Sequence, residues 1–111
     1  YSRDFTYIDN VIQANLLSVV TNNKKAINTV YNVAYGDRNT LNDLMRYLKD
    51  YLSEFDSKIS NIEVIYGPNR VGDIPHSHAS VQKAKKLLNY NPQFSLQKGL
   101  KEAVKWYWKN L

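Results

Sequence analysis

The tetrapeptide Thr40-Leu41-Asn42-Asp43 constrains the folding of this chain more than any other stretch. Its spacing is that of a capping box, with aspartate in place of the usual glutamate or glutamine. In such a box the threonine hydroxyl accepts from the third helical amide and the acid reaches back to the threonine amide. Leu41, Leu44, Met45, Leu48 and Leu52 follow at helical spacing and predict one buried apolar stripe. A helix that starts this firmly draws its stability from whatever covers that stripe.

The flanking sequence supplies further elements. Phe5 to Ile8 reads as a short extended piece leading into a second periodic segment, with Ile8, Val11, Ile12, Leu16, Val19 and Val20 on one stripe and Asp9 as its N-cap. Thr21-Asn22-Asn23-Lys24 ends it. Thr29 to Ala34 reads as a strand closed by Gly36-Asp37, and Ile62 to Tyr66 as a second strand stopped by Gly67-Pro68. A polar loop with Asp56, Ser57, Lys58 and Ser60 precedes that second strand. Residues 67–79 carry two prolines, two glycines and both histidines, and predict an ordered loop. Ser80 is expected to cap a short helix through Leu88, terminated by Asn89-Tyr90-Asn91-Pro92. Ser95 caps the last helix, with Leu96, Leu100, Ala103, Val104, Tyr107 and Leu111 turned inward. Trp106, Tyr107 and Trp108 are consecutive and so spread around that helix; core and subunit packing is expected of them. No repeat or flexible linker interrupts residues 1–111, which read as a single α/β domain of about four helices with two or three short strands.

Several classes of function are excluded. With no cysteine in 111 residues there is no disulfide, thiolate metal site or cysteine nucleophile. No apolar run approaches a membrane span, so a soluble protein is expected, and the cytoplasm is the expected compartment. His76 and His78 stand at i and i+2 without a nearby further ligand, a poor zinc pattern, and no metal is assigned. The net charge of +5 is uneven: residues 81–111 hold seven lysines and one acid, a net of +6, which leaves −1 for residues 1–80. A lysine-rich end attracts nucleic acid or anionic membrane, but here the lysines also fit the wet faces of two amphipathic helices.

Two polar segments carry the chemistry. Ser2-Arg3-Asp4-Phe5-Thr6-Tyr7-Ile8 and Arg70-Val71-Gly72-Asp73-Ile74-Pro75-His76-Ser77 each set an arginine beside an acid. Arginine forks take phosphate oxygens and a carboxylate accepts from ribose hydroxyls, so the combination suits a nucleotide diphosphate. The same residues also fit ordinary surface ion pairs, Arg3 with Asp4 and Arg70 with Asp73.

The segments SRDFTYIDNVIQANLL at 2–17, VYNVAYGDRNTLNDL at 30–44 and GPNRVGDIPHSHASVQKAKKLLNYNPQFSLQKGL at 67–100 together resemble the C-terminal, substrate-binding portion of the extended short-chain dehydrogenase/reductases. Within that superfamily they are most similar to the nucleotide-sugar 4-epimerases of the UDP-N-acetylglucosamine type. The R-x-G-D of the third block, followed by a short helix and N-Y-N-P, is the most specific part. The resemblance implies an NAD-dependent isomerase of UDP-N-acetylglucosamine and UDP-glucose, of the kind that serves polysaccharide biosynthesis, with a UDP-sugar as partner and a homodimeric parent. It assigns Arg3 and Arg70 to the diphosphate, Asp73 to the uridine ribose, and Ser77 to the sugar pocket. In that family a bulky tyrosine at the position of Ser77 goes with plain hexoses, whereas a small residue leaves room for a C2 acetamido group.

The resemblance also implies what this segment lacks. Such an enzyme oxidises C4 with bound NAD, lets the ketone rotate, and returns the hydride to the other face. It needs a Rossmann unit with a glycine-rich turn, a Ser/Thr and a Tyr-x-x-x-Lys pair. Gly36, Gly67, Gly72 and Gly99 form no such turn, and no tyrosine here has a lysine four residues on. The expectation is therefore a fragment, opening on Tyr1-Ser2-Arg3 where the first block begins, that binds no NAD and is inactive alone. The strand at Thr29 to Ala34 would normally join the missing domain's sheet and is expected to pair between chains, to fray, or to give way to a swapped element. Two rivals remain: another nucleotide-sugar enzyme, such as a dehydratase or decarboxylase, and a small basic nucleic-acid-binding module. The latter needs aromatics interleaved with its basic face, and the lysines lie away from most tyrosines in sequence.

Overall fold

The capping box forms as its spacing requires. In the computed structural model, which describes residues 1–111, Asp43 N donates to Thr40 Oγ1 at 3.0 Å and Thr40 N donates to Asp43 Oδ2 at 3.1 Å. Those bonds from the Thr40 backbone and hydroxyl hold the Asp43 carboxyl below its ordinary range. The helix so begun, α2 (Leu41–Ser53), lies along α4 (Leu96–Asn110), which Ser95 caps through Lys98 N. Leu44, Leu48 and Leu52 of the stripe are half-buried, while Leu41 and Met45 stay exposed. On α4, Val104 is buried, but Tyr107 and both tryptophans are exposed, as is Leu111 just beyond it. The inward stripes of both helices are thus only partly covered by these residues.

Two further helices, α1 (Ile8–Val20) and α3 (Gln82–Leu88), pack together over a small core of Ala14, Ala34, Val81, Ala84 and Tyr90. The helix starts differ from expectation. Tyr7 precedes α1 at the cap position and its carbonyl accepts from Asn10 N at 3.0 Å, which leaves Asp9 in the first turn acting through charge alone. Val81, not Ser80, precedes α3, and neither start has a side-chain cap. The end of α3 is as read: Asn89 takes a left-handed conformation, φ 57°, and the chain turns away.

The strands also differ. Neither Thr29 to Ala34 nor Ile62 to Tyr66 becomes one, because a strand exists only within a ladder and neither segment finds a partner in the chain. Tyr31, Val33 and Ala34 instead serve the core. Tyr90 donates its hydroxyl to Ala34 O at 2.7 Å, and Lys83 Nζ reaches Val30 O at 2.8 Å. The only paired strands are the dipeptides β1 (Ser2–Arg3) and β2 (Asn39–Thr40), antiparallel with Ser2 opposite Thr40 and Arg3 opposite Asn39.

The result is a slab of 53 × 35 × 19 Å with a radius of gyration of 17.0 Å, where a compact chain of this length would have about 13 Å. Its accessible surface is 8348 Å², against roughly 6,300 Å² for a globular monomer of the same mass. Large apolar side chains contribute to it. The stripe of α1 faces solvent, and Val30 is 84% exposed.

Candidate functional site

Ser2 and Arg3 join the two polar segments. Main-chain bonds run from both edges of this dipeptide. On one side β2 pairs with it, and Leu41 N donates to Tyr1 O at 3.1 Å. On the other, Ser2 N donates to Pro75 O at 2.8 Å and Ser77 N to Ser2 O at 3.0 Å, a parallel bridge centred on His76. Residues 75–77 are thereby laid beside the N-terminal strand, although over 70 positions separate them in sequence.

The side chains complete the join. Arg3 Nη2 donates to Asp73 Oδ1 at 2.8 Å, and Arg3 Nη1 to Ser2 O at 2.8 Å. Ser2, only 4% exposed, shares a 2.7 Å hydrogen bond between its Oγ and His76 Nδ1. The ion pair is neither of the two that adjacency in sequence favours. Asp4 turns away and accepts Gly36 N on both carboxylate oxygens, at 3.0 and 3.3 Å, while Arg70 takes part in no ion pair.

Arg70 is placed by a turn. Asp73 N donates to Arg70 O at 3.2 Å, and Gly72 between them has φ +77°, the left-handed conformation that the third residue of a type II turn demands. The Arg70 side chain is exposed at one end of this turn, and Asp73 at the other is bound to Arg3. A guanidinium without a carboxylate partner is available to an anion, and an Asp73 carboxylate accepting one bond keeps lone pairs for further donors. Ser77 is exposed, its amide fixed to β1 and its hydroxyl without a protein partner. The structure thus gathers Arg3, Asp73 and the Ser77 backbone around one dipeptide, with Arg70 a single turn away.

Sequence reasoning left Ser2, Asp4, His76 and His78 without roles. His76 bonds Ser2, and His78 Nε2 lies 3.1 Å from Gly36 O, so each histidine ties the loop to a different segment. No group of three or more His, Cys, Asp or Glu comes together for a metal. The signal available beforehand was that both histidines fall in the loop already singled out, next to Ser77.

Asn10 is the other missed anchor. Its side chain is fully buried: Nδ2 donates to Phe94 O at 2.8 Å, and Oδ1 accepts Gln93 N at 3.0 Å and Phe94 N at 3.1 Å. This ties α1, which starts five residues after Arg3, to the approach to α4. Gly99 of α4 lies so near Tyr7 that an added Cβ would stand 2.6 Å from Tyr7 Cβ. Burial, with Asp9 and Glu102 nearby, pushes the Tyr7 hydroxyl above its ordinary value.

A concavity of 530 Å³ lies apart from Arg3 and Asp73, against Phe5, Tyr7, Ile8, Leu100, Trp106 and Tyr107. Its lining offers no cation for a phosphate. The basic face is more aromatic than its sequence suggested: Lys83 stands over Tyr31 at 5.0 Å, Lys98 over Phe94 at 5.1 Å and Lys101 over Tyr51 at 5.4 Å. Each of those ring faces is already covered by its lysine.

The residues present do not fit NAD. Gly36 and Gly72 occupy separate turns, Gly99 is sealed under Tyr7, and no glycine turn leads from a strand into a helix. No helix is long and apolar enough to cross a membrane.

No family model matches the chain. Among curated proteins it is 32% identical over 116 residues to UDP-glucuronate 4-epimerase 4 of Arabidopsis thaliana, an alignment covering 96% of this chain and 25% of that protein. Among solved structures, MoeE5 in complex with UDP-glucuronic acid and NAD superposes with a TM-score of 0.78 at 23% identity, over 99% of this chain and 34% of that one. A variant of the UDP-glucuronic acid 4-epimerase from Bacillus cereus, bound to UDP-4-deoxy-4-fluoro-glucuronic acid and NAD, gives a TM-score of 0.71 at 25% identity, over 99% and 33%. The chain therefore spans a quarter to a third of the length of the relatives it matches. In sequence over nearly its whole length, and in fold, it corresponds to the C-terminal part of the extended short-chain dehydrogenase/reductase nucleotide-sugar epimerases.

Proposed function

We propose that this chain is the nucleotide-sugar-gripping part of an NAD-dependent UDP-sugar 4-epimerase, with NAD bound and the redox chemistry performed by residues outside these 111. Arg3 and Arg70 hold the diphosphate, Asp73 accepts from the ribose, and Ser77 borders the sugar. The observation that carries this reading is the Arg3–Asp73 bond at 2.8 Å, which unites the two segments that the resemblance assigns to one ligand. An exposed, unpaired Arg70 one turn away supplies the second fork.

For the sugar, the small side chain of Ser77 supports UDP-N-acetylglucosamine, with UDP-glucose as the smaller substrate. A second reading, UDP-glucuronate, is favoured by the names of the matched relatives. Titration calorimetry of UDP, UDP-N-acetylglucosamine, UDP-glucose and UDP-glucuronate tests both. The 111-residue chain is expected to bind UDP weakly and NAD not at all, and the longer protein to bind the N-acetylated sugar best. Preference for the glucuronate would select the second reading. A longer protein that ignores UDP would overturn the proposal, as would salt-sensitive binding of unrelated DNA in its place. In the longer protein, Arg70→Ala should weaken UDP binding by roughly 2–5 kcal/mol if the contact is desolvated, and an unchanged affinity would remove Arg70 from the site. Homodimerisation of the parent is part of the same reading.

A further inference from the structure

We infer that His76 is a positioning residue, holding Ser77 at the sugar end of the site through its bond to Ser2. The inference rests on the nucleotide-sugar reading above and adds a residue to it. Three bonds fasten residues 75–77 to one amino acid: Ser2 N to Pro75 O at 2.8 Å, Ser77 N to Ser2 O at 3.0 Å, and Ser2 Oγ with His76 Nδ1 at 2.7 Å. Only the last involves a side chain of the loop. It also satisfies a hydroxyl on a residue that is 4% exposed, where water reaches poorly.

The diphosphate end has its own fastening. Arg3 is held by the β1–β2 ladder and by Asp73, and Arg70 by its turn, all independent of the His76 imidazole. Loosening His76 should therefore free Ser77 while leaving the nucleotide grip in place. That separation distinguishes a positioning role from general support of the fold, which would weaken both ends together.

Two variants test it. His76→Phe keeps the ring and removes the hydrogen bond; His76→Asn restores a polar group near the position of Nδ1. In the ligand-free chain, amide exchange of Ser77 should quicken by about tenfold in His76→Phe and return towards the parent rate in His76→Asn, with Asp43 in the capping box unaffected. In the longer protein, UDP affinity should stay within about twofold in His76→Phe, while the extra affinity of UDP-sugar over UDP falls by about tenfold and recovers in His76→Asn. Unchanged Ser77 exchange in His76→Phe would overturn the inference whatever the ligand data show. Equal losses for UDP and UDP-sugar would overturn it too, since His76 would then be supporting the whole site. A parent protein that binds no UDP would refute the functional reading instead, and the exchange measurement would still judge the clamp.

Discussion

Replacing Asn10 tests whether the fold is held at the point where α1 meets the approach to α4. Asn10 is fully buried and makes three hydrogen bonds to the backbone of Gln93 and Phe94. At about 1 kcal/mol net for each, Asn10→Ala should forfeit roughly 3 kcal/mol, with a larger loss if the orphaned groups stay dry. The better helix propensity of alanine returns about 0.5 kcal/mol, leaving a net loss near 2.5 kcal/mol. For a chain of 111 residues, whose whole stability is expected at about 5–15 kcal/mol, that is a large fraction. Asn10→Asp sharpens the test. It keeps both acceptor bonds, loses the donor to Phe94 O, and sets a buried carboxylate against that carbonyl. Its folded-state pKa is therefore raised, so the protonated form is the stable one in the fold. The stability deficit should be greatest at neutral pH and should shrink as pH falls through the raised folded value towards the unfolded value of about 3.9. Urea unfolding followed by far-UV circular dichroism, with parent and variant compared at each pH, cancels titrations common to both. A loss under about 0.5 kcal/mol for Asn10→Ala would refute the reasoning, as would an Asn10→Asp variant as stable as the parent at neutral pH.

In the longer protein, Ser77→Tyr should depress turnover of an N-acetylated UDP-sugar far more than that of UDP-glucose, by steric exclusion; equal losses would separate Ser77 from the C2 substituent. Burial, with Asp4 nearby, raises the pKa of Tyr90, so its contribution to stability is complete below the ordinary tyrosine value of 10.0 and is lost as pH climbs through the raised one. Alkaline unfolding should therefore steepen above that point, and less so in Tyr90→Phe; identical profiles would clear Tyr90 of the effect. The unpaired segment 29–34 and the exposed apolar stripe of α1 should drive the isolated 111-residue chain to self-associate, which sedimentation can read; a strict monomer at high concentration would count against strand pairing between chains.

The sequence was most legible where a local rule decides the outcome. The capping box at Thr40, the Ser95 cap and the end of α3 at Leu88 depend on a few neighbouring atoms, and all three formed as read. It was least legible where the outcome depends on a distant partner. Thr29 to Ala34 and Ile62 to Tyr66 have strand-like composition, but pairing belongs to a ladder and not to a segment, and no neighbouring strand is present. The α1 stripe was correctly periodic, yet it is the opposite side, with Asn10 and Ala14, that these residues bury. The four candidate residues were proposed from their type and the resemblance, whereas the Arg3–Asp73 pairing was not. Adjacency favoured Asp4, and only the fold reveals that this acid is occupied with Gly36.

Because main-chain partners line both edges of Ser2–Arg3, this dipeptide works as a key between two wards of a lock. Neighbouring side chains on a strand point to opposite faces, so a slip of one position would carry the serine out of its buried seat and drive the arginine into it. The loops elsewhere can lengthen or shorten while their ends still meet. Here no such tolerance exists. An inserted or deleted residue between Tyr1 and Asp4 would shift the ion pair, the Ser2–His76 bond and the Ser77 amide together, although each of the participating side chains would still be present.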